Sequence, residues 1–239
     1  MKNKNLIIKY SMLSSLSTFN KNNSRLFAPT VNPNWNQFTY TISGSNFVGT
    51  AGSYPIQFNN TGTTTQGNIT NFNIANHQGT GKQTTIYIKA KTNNNVQNAR
   101  WLTISKDFTT LSDFMNIVQP NGSLMQSFNC CLFQGGGTNL DFSTTNILPA
   151  VNQYAHVFFT LNGSTGKQQW FIYSQAGNLI YTSTQANYTP STLFNNVVNA
   201  TYARSKFDAT RYNVTIGNGG WFNTCLTSQE MANVVALNT

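Results

Sequence analysis

The chain has 239 residues and a net charge of +9, yet only 8% of its side chains are charged. It is long enough to bury a core without disulfides or metals, and far below the roughly 25% charge of ordinary soluble domains. Its five acids (Asp107, Asp113, Asp141, Asp208, Glu230) and three irregularly spaced cysteines (Cys130, Cys131, Cys225) argue against a carboxylate-rich cation site, a disulfide framework and a zinc site.

Residues 1–35 read as a basic arm. Lys2, Lys4, Lys9, Lys21 and Arg25 come without an acid among them, and Pro29 and Pro33 favour extended chain. Lys9 interrupts the N-terminal apolar run after Leu6-Ile7-Ile8, so no cleaved signal peptide is expected. No segment reaches the roughly 18 to 20 apolar residues of a membrane-spanning helix.

From Trp35 the texture changes to short strands. Residues 37–42 alternate, with Phe38, Tyr40 and Ile42 on one face, and residues 54–58 and 69–74 are further strands. In 84–91, Thr84, Ile86, Ile88 and Ala90 oppose Thr85, Tyr87, Lys89 and Lys91, the pattern of a half-buried antiparallel strand. Residues 100–105, 114–118, 127–133 and 140–142 continue the series. The strongest strand, 154–161, sorts Ala155, Val157, Phe159 and Leu161 against Tyr154, His156, Phe158 and Thr160. Asn162-Gly163 is a hairpin-turn signal, followed by strands at 169–173 and 179–182 around a Gly177-Asn178 turn. Residues 183–210 are loop-rich, with a helical turn expected at 193–198. A closing strand at 214–217 leads through a glycine-rich turn to a short helix. There Thr227 and Glu230 have capping-box spacing, and Leu226 and Met231 are placed as its hydrophobic staple. Short strands with regular turn signals predict an all-β sandwich.

Four segments carry a family resemblance. Thr84-Thr-Ile-Tyr-Ile-Lys-Ala-Lys91 resembles a strand of laminin-G-like, concanavalin A-like jelly rolls. Gln153-Tyr-Ala-His-Val-Phe-Phe-Thr-Leu-Asn-Gly163 resembles their next strand and turn, with Tyr154 where tryptophan is usual. Trp170-Phe-Ile-Tyr-Ser-Gln-Ala-Gly-Asn-Leu-Ile180 resembles a following hairpin, and the stretch from Val214 to Glu230 resembles the family's terminal strand and helix. The resemblance covers residues 36–239, leaves the arm outside, and implies an antiparallel two-sheet jelly-roll sandwich with a short C-terminal helix. Where the family carries acids before that helix, this chain reads Gly220-Trp-Phe-Asn-Thr-Cys225, so no calcium ligand carries over and no cofactor is expected.

Some relatives of this fold hydrolyse glycosides, which needs two carboxylates about 5 to 10 Å apart. No strand here carries two acids on one face, and Glu230 is committed to the helix cap. His156 reads as a packed histidine on an aromatic face, with no nucleophile elbow in the chain. His77 lies in a loop beside Gly79 and Gly81 with no partner visible. Trp221, Phe222, Trp170 and Tyr173 are the candidate sugar-stacking rings. Packing is the expected role of most such aromatics, Trp101 included, and Trp221 is the one expected to be exposed.

The resulting expectation is a non-enzymatic structural or interaction protein. Its main form is a virion component (minor capsid, decoration or fibre type), assembled in a reducing compartment. The arm, through Lys2, Lys4, Lys9, Lys21 and Arg25, would contact other copies or other structural proteins. The alternative is a carbohydrate-binding, lectin-like module recognising surface glycans. Basic residues beyond the arm are scattered, so sequence-specific nucleic-acid binding is not expected.

Overall fold

The computed structural model describes residues 35–59, 65–77, 79–93, 99–105, 114–119, 128–133, 139–144, 152–187, 199–204 and 213–238. The arm up to residue 34 and the helical turn expected at 193–198 lie outside the described residues.

The strands are β1 (Trp35–Gln37), β2 (Tyr40–Ser43), β3 (Phe47–Val48), β4 (Ile56–Phe58), β5 (Gln66–Ile69), β6 (Gln83–Thr92), β7 (Ala99–Ser105) and β8 (Phe114–Gln119). They continue as β9 (Phe128–Phe133), β10 (Asn139–Thr144), β11 (Ala155–Asn162), β12 (Lys167–Ser174), β13 (Leu179–Thr182), β14 (Ala186–Asn187), β15 (Asn199–Tyr202) and β16 (Val214–Phe222). One helix, α1 (Ser228–Ala236), closes the chain. The first sheet runs β13-β12-β11-β6-β16-β4-β3, with β1 on β16 and β14 on β12. The second runs β10-β9-β8-β7-β15-β5-β2. All the strand pairs are antiparallel, so the molecule is the two-sheet sandwich with a short C-terminal helix that the strand pattern predicts.

Alternation along β6 and β11 sends Ile86, Ile88, Ala90, Val157, Phe159 and Leu161 between the sheets. There they meet Leu102, Ile104 and Tyr202 from the second sheet. The opposite face of the first sheet is not left to solvent. Tyr87, Phe158, Phe171, Tyr173 and Phe222 form a second cluster there with Trp35, and α1 covers it through Met231, Val234 and Val235. The half-buried expectation for β6 is therefore corrected: Thr85 and Tyr87 are as buried as Ile86 and Ile88. Each such fully buried side chain contributes roughly 1.5 to 3 kcal/mol by leaving water.

The helix starts as its sequence dictates. Thr227 Oγ1 accepts from Glu230 N, and Thr227 N donates to Glu230 Oε2 at 2.8 Å, completing the capping box. Such a cap is worth about 1 kcal/mol. Leu226 and Met231, the staple pair, are both buried under the helix.

Two sequence expectations need correcting. The closing strand does not end at Gly217 but runs to Phe222, with Trp221 opposite Ile86 and Phe222 opposite Thr85. Gly219 and Gly220 serve close approach within that strand: a Cβ at 219 would lie 2.6 Å from Tyr202 Oη, and one at 220 would collide with Asn36 O and the Trp35 ring. The strand expected at 69–74 ends at Ile69. Beyond it the Asn71 side chain takes over strand-like bonding, accepting from Thr39 N at 2.8 Å and donating to Gln37 O at 2.8 Å. A 3-10 turn follows at Ile74–Asn76.

Candidate functional site

The four aromatic rings expected as stacking platforms are all packed inside the protein. Trp170 is fully buried and stacks on Phe159 at 4.1 Å between the sheets. Tyr173 and Phe222 lie under α1; Tyr173 Oη donates to Ser228 O at 3.2 Å, and the Phe222 ring sits 4.9 Å from Trp35. Trp221, the ring expected to be exposed, is only 6% exposed because it belongs to a strand and packs against Phe38 and Phe72. None of the four offers a ring face to solvent. The arm residues Lys2, Lys4, Lys9, Lys21 and Arg25 lie outside the described residues.

His156 is fully buried, with Nδ1 2.9 Å from Tyr87 Oη. Burial first, and the nearby Lys89 ammonium second, push its pKa down to about 3. It is a neutral packing residue.

A cleft of about 510 Å³ opens at the end of the sandwich where β6 begins and β16 finishes. Asn76 and His77 line it from the 3-10 turn, Gly81, Lys82, Gln83 and Thr84 from the loop into β6, and Asn223 from the end of β16. The left-handed backbone at Gly79 and Gly81 (φ 129° and 79°) turns this loop back on itself, and Lys82 N donates to Gly79 O at 3.1 Å.

His77 is the best-positioned group in the cleft. Its ring stacks on Phe72 at 5.0 Å with an interplanar angle of 10°, and meets Trp221 edge-on at 5.3 Å. Thr84 Oγ1 donates to its carbonyl at 2.7 Å. Burial lowers its pKa most; a hydrogen bond with the Asn223 side chain opposes that, and the Lys82 charge lowers it further. Sequence alone left His77 without a partner, because Phe72 and Trp221 reach it only through the fold. The flanking glycines were the one local sign of a built loop.

Among the described residues the cleft thus gathers amides, a hydroxyl, an imidazole and one ammonium, and no carboxylate. Lys82 is distinctive. Lys89 donates to Asn238 O and lies over the Tyr154 ring, Lys91 lies over the same ring, and Lys167 Nζ donates to Asn187 Oδ1 at 2.6 Å. Among the described lysines only Lys82 has no hydrogen-bond, ion-pair or ring partner.

A second, smaller cleft of about 140 Å³ lies on the outer face of the first sheet beside Cys225 and Leu226. Its polar groups are largely committed within the protein. Thr160 Oγ1 donates to Gln169 O at 3.2 Å, Gln169 Nε2 to Ser183 O at 2.8 Å, and Cys225 Sγ to Leu161 O at 3.2 Å. Burial pushes the Cys225 thiol above its ordinary pKa, away from reactivity.

No protein-family model matches the sequence, and no curated protein matches it. Solved structures do. The CBM40 domain of the Ruminococcus gnavus IT-sialidase bound to α2,3-sialyllactose is 15% identical with a TM-score of 0.51, over 65% of this chain and 83% of that one. The binding domain of Botulinum Neurotoxin DC in complex with SialylT is 14% identical with a TM-score of 0.57, over 84% of this chain and 47% of that one. A mutant NanB sialidase from Streptococcus pneumoniae is 15% identical with a TM-score of 0.51, and the match spans 64% of this chain but only 24% of the sialidase. At these identities the likeness is one of fold: this chain shares the β-sandwich fold of these domains.

Proposed function

We propose that this chain is a non-catalytic, lectin-like carbohydrate-binding module, and that the cleft around His77 and Lys82 is its glycan site. The observation that carries the reading is the lining of that cleft. Sugars are recognised by a few convergent donors and acceptors set against a rigid wall, and the cleft supplies these on an aromatic-backed histidine, two asparagines, a glutamine and a lysine. The structural neighbours support the same class. The CBM40 neighbours were solved bound to α2,3- and α2,6-sialyllactose, and a neurotoxin binding domain in complex with SialylT, which makes sialylated glycans the first panel to test. They favour this reading over a virion component, for which neither the fold nor the likenesses offer support.

The non-catalytic part rests on the acids. Among the described residues only Asp141 and Glu230 are acidic; Asp141 lies in β10 of the second sheet and Glu230 in α1 on the outer side of the first. They stand on opposite layers and cannot flank one glycosidic bond, which supports the non-catalytic reading; Asp107, Asp113 and Asp208 lie outside the described residues.

The test is a glycan array probed with the full chain, followed by calorimetric titration of the best binder. Asn223→Ala removes the amide that holds the His77 ring and should weaken binding roughly three- to tenfold, with the circular dichroism spectrum unchanged. A chain that retains no glycan, or an Asn223→Ala variant that binds as tightly as the wild type, overturns the reading.

A further inference from the structure

We propose that the cleft selects a sugar carrying an anionic substituent, a carboxylate or a sulfate ester, with Lys82 as its counter-charge and His77 as a hydrogen-bonding neighbour. This inference rests on the glycan reading of the cleft and adds what kind of glycan it takes.

The argument starts from the idle lysine. Lys82 is exposed at the cleft, so its ammonium stays hydrated and available to a ligand. The side chains of the other described lysines meet an amide, a carbonyl or a ring; that of Lys82 does not. Its backbone is fixed on both sides, through Gly79 O and through Gly163 N, which donates to Lys82 O at 2.7 Å. The backbone thus places this side chain at the cleft with no described side chain matching its charge.

The groups around His77 point the same way. The 3-10 turn contributes Asn76, β6 contributes Thr84, β16 contributes Trp221, and Asn223 follows directly after it. Lys82 is the one charged group among them. Among the described residues that line it, the cleft therefore carries one positive charge and no negative one, in a protein of net charge +9. Burial chiefly lowers the His77 pKa and the Lys82 charge adds to it; an anion seated between the two would offset that charge. By linkage, such a ligand must raise the His77 pKa, and its affinity must grow as the pH falls through the imidazole range. A neutral sugar would do neither.

The experiment compares sialyllactose, a sulfated lactose and lactose as ligands of the full chain, by calorimetry and by NMR titration of the histidine ring protons. His77 and His156 are the only histidines, so the buried His156 serves as internal control. The expected result is tighter binding of one or both charged sugars, with the His77 midpoint moving upward for those ligands alone. Lys82→Gln should weaken charged-sugar binding roughly ten- to a hundredfold and leave lactose unaffected, while Lys82→Arg retains most of the affinity. Preference for sialyllactose or for the sulfated sugar identifies which anion the cleft takes. If lactose binds as well as the charged sugars and Lys82→Gln changes nothing, the anion selection is overturned while the glycan reading stands. If none of the three binds and the array is also blank, both fall.

Discussion

His156 shows how one buried titratable group can govern a protein with few acids. Its folded pKa is pushed down to about 3, against about 6.5 for an unperturbed imidazole. A lowered histidine pKa means that the folded state binds the neutral form better. The stability this contributes is fully present above pH 6.5 and is lost progressively as pH falls towards 3. Most proteins lose acid stability mainly through their carboxylates, but this chain has only five acids. His77, whose pKa is also lowered, adds in the same direction. Unfolding free energies from urea titrations should therefore fall between pH 6.5 and pH 4.5 by up to about 1.4 kcal/mol per pH unit from His156. His156→Leu keeps a side chain of similar volume without titrating and should flatten that dependence, whatever it does to stability at neutral pH. An unchanged slope in the variant would assign the loss to other groups. This residue's role was readable beforehand, since alternation places it between Tyr154 and Phe158 on one face. Trp221 was misread because its glycines suggested a turn, and only the pairing with β6 shows that they make room for neighbouring rings.

The hairpin joining β11 to β12 is the element that ties the scaffold to the cleft. Asn162-Gly163 looks like a tight-turn signal, yet the left-handed position in this connection is Gly166 at φ 60°. Gly163 is needed for another reason. A Cβ there would collide with Gly79 O and stand 2.8 Å from Lys82 O, so the hairpin presses backbone to backbone on the loop that carries Lys82. Gly163→Ala should push that loop away and break the bond from Gly163 N to Lys82 O. Glycan affinity should fall at least about threefold, and the fold should lose at least the roughly 1 kcal/mol of that hydrogen bond besides the strain of the displaced loop. Calorimetry and thermal melting on the same variant separate the two effects; unchanged affinity would show that the hairpin does not position the site. The capping box of α1, by contrast, was fully legible, because Thr227 and Glu230 meet within one turn of helix. The Gly163 contact joins residues far apart in the chain, and no local pattern announces it.

At the scale of the whole molecule, the two-sheet architecture was legible because inward-facing residues alternate along each strand. The second hydrophobic layer was not. Whether Tyr87, Phe158 and Phe222 face water or a helix depends on where α1 lands, and that is decided by packing between distant elements. Once α1 is in place, β6, β11 and β16 each contribute one face to the inter-sheet core and the other to the layer under the helix. The two clusters share the same backbone, so neither can melt while its neighbour stays intact. A single cooperative transition is expected, with far-UV circular dichroism and tryptophan fluorescence coinciding. The tryptophans sample both layers, Trp35 under the helix and Trp101, Trp170 and Trp221 between the sheets. Ile88→Ala between the sheets and Met231→Ala in the helix should each shift that one transition, by roughly 2 to 5 kcal/mol. A Met231→Ala variant that loses its helix signal in a separate, earlier step would show instead that α1 is an independent cover over a sandwich stable without it.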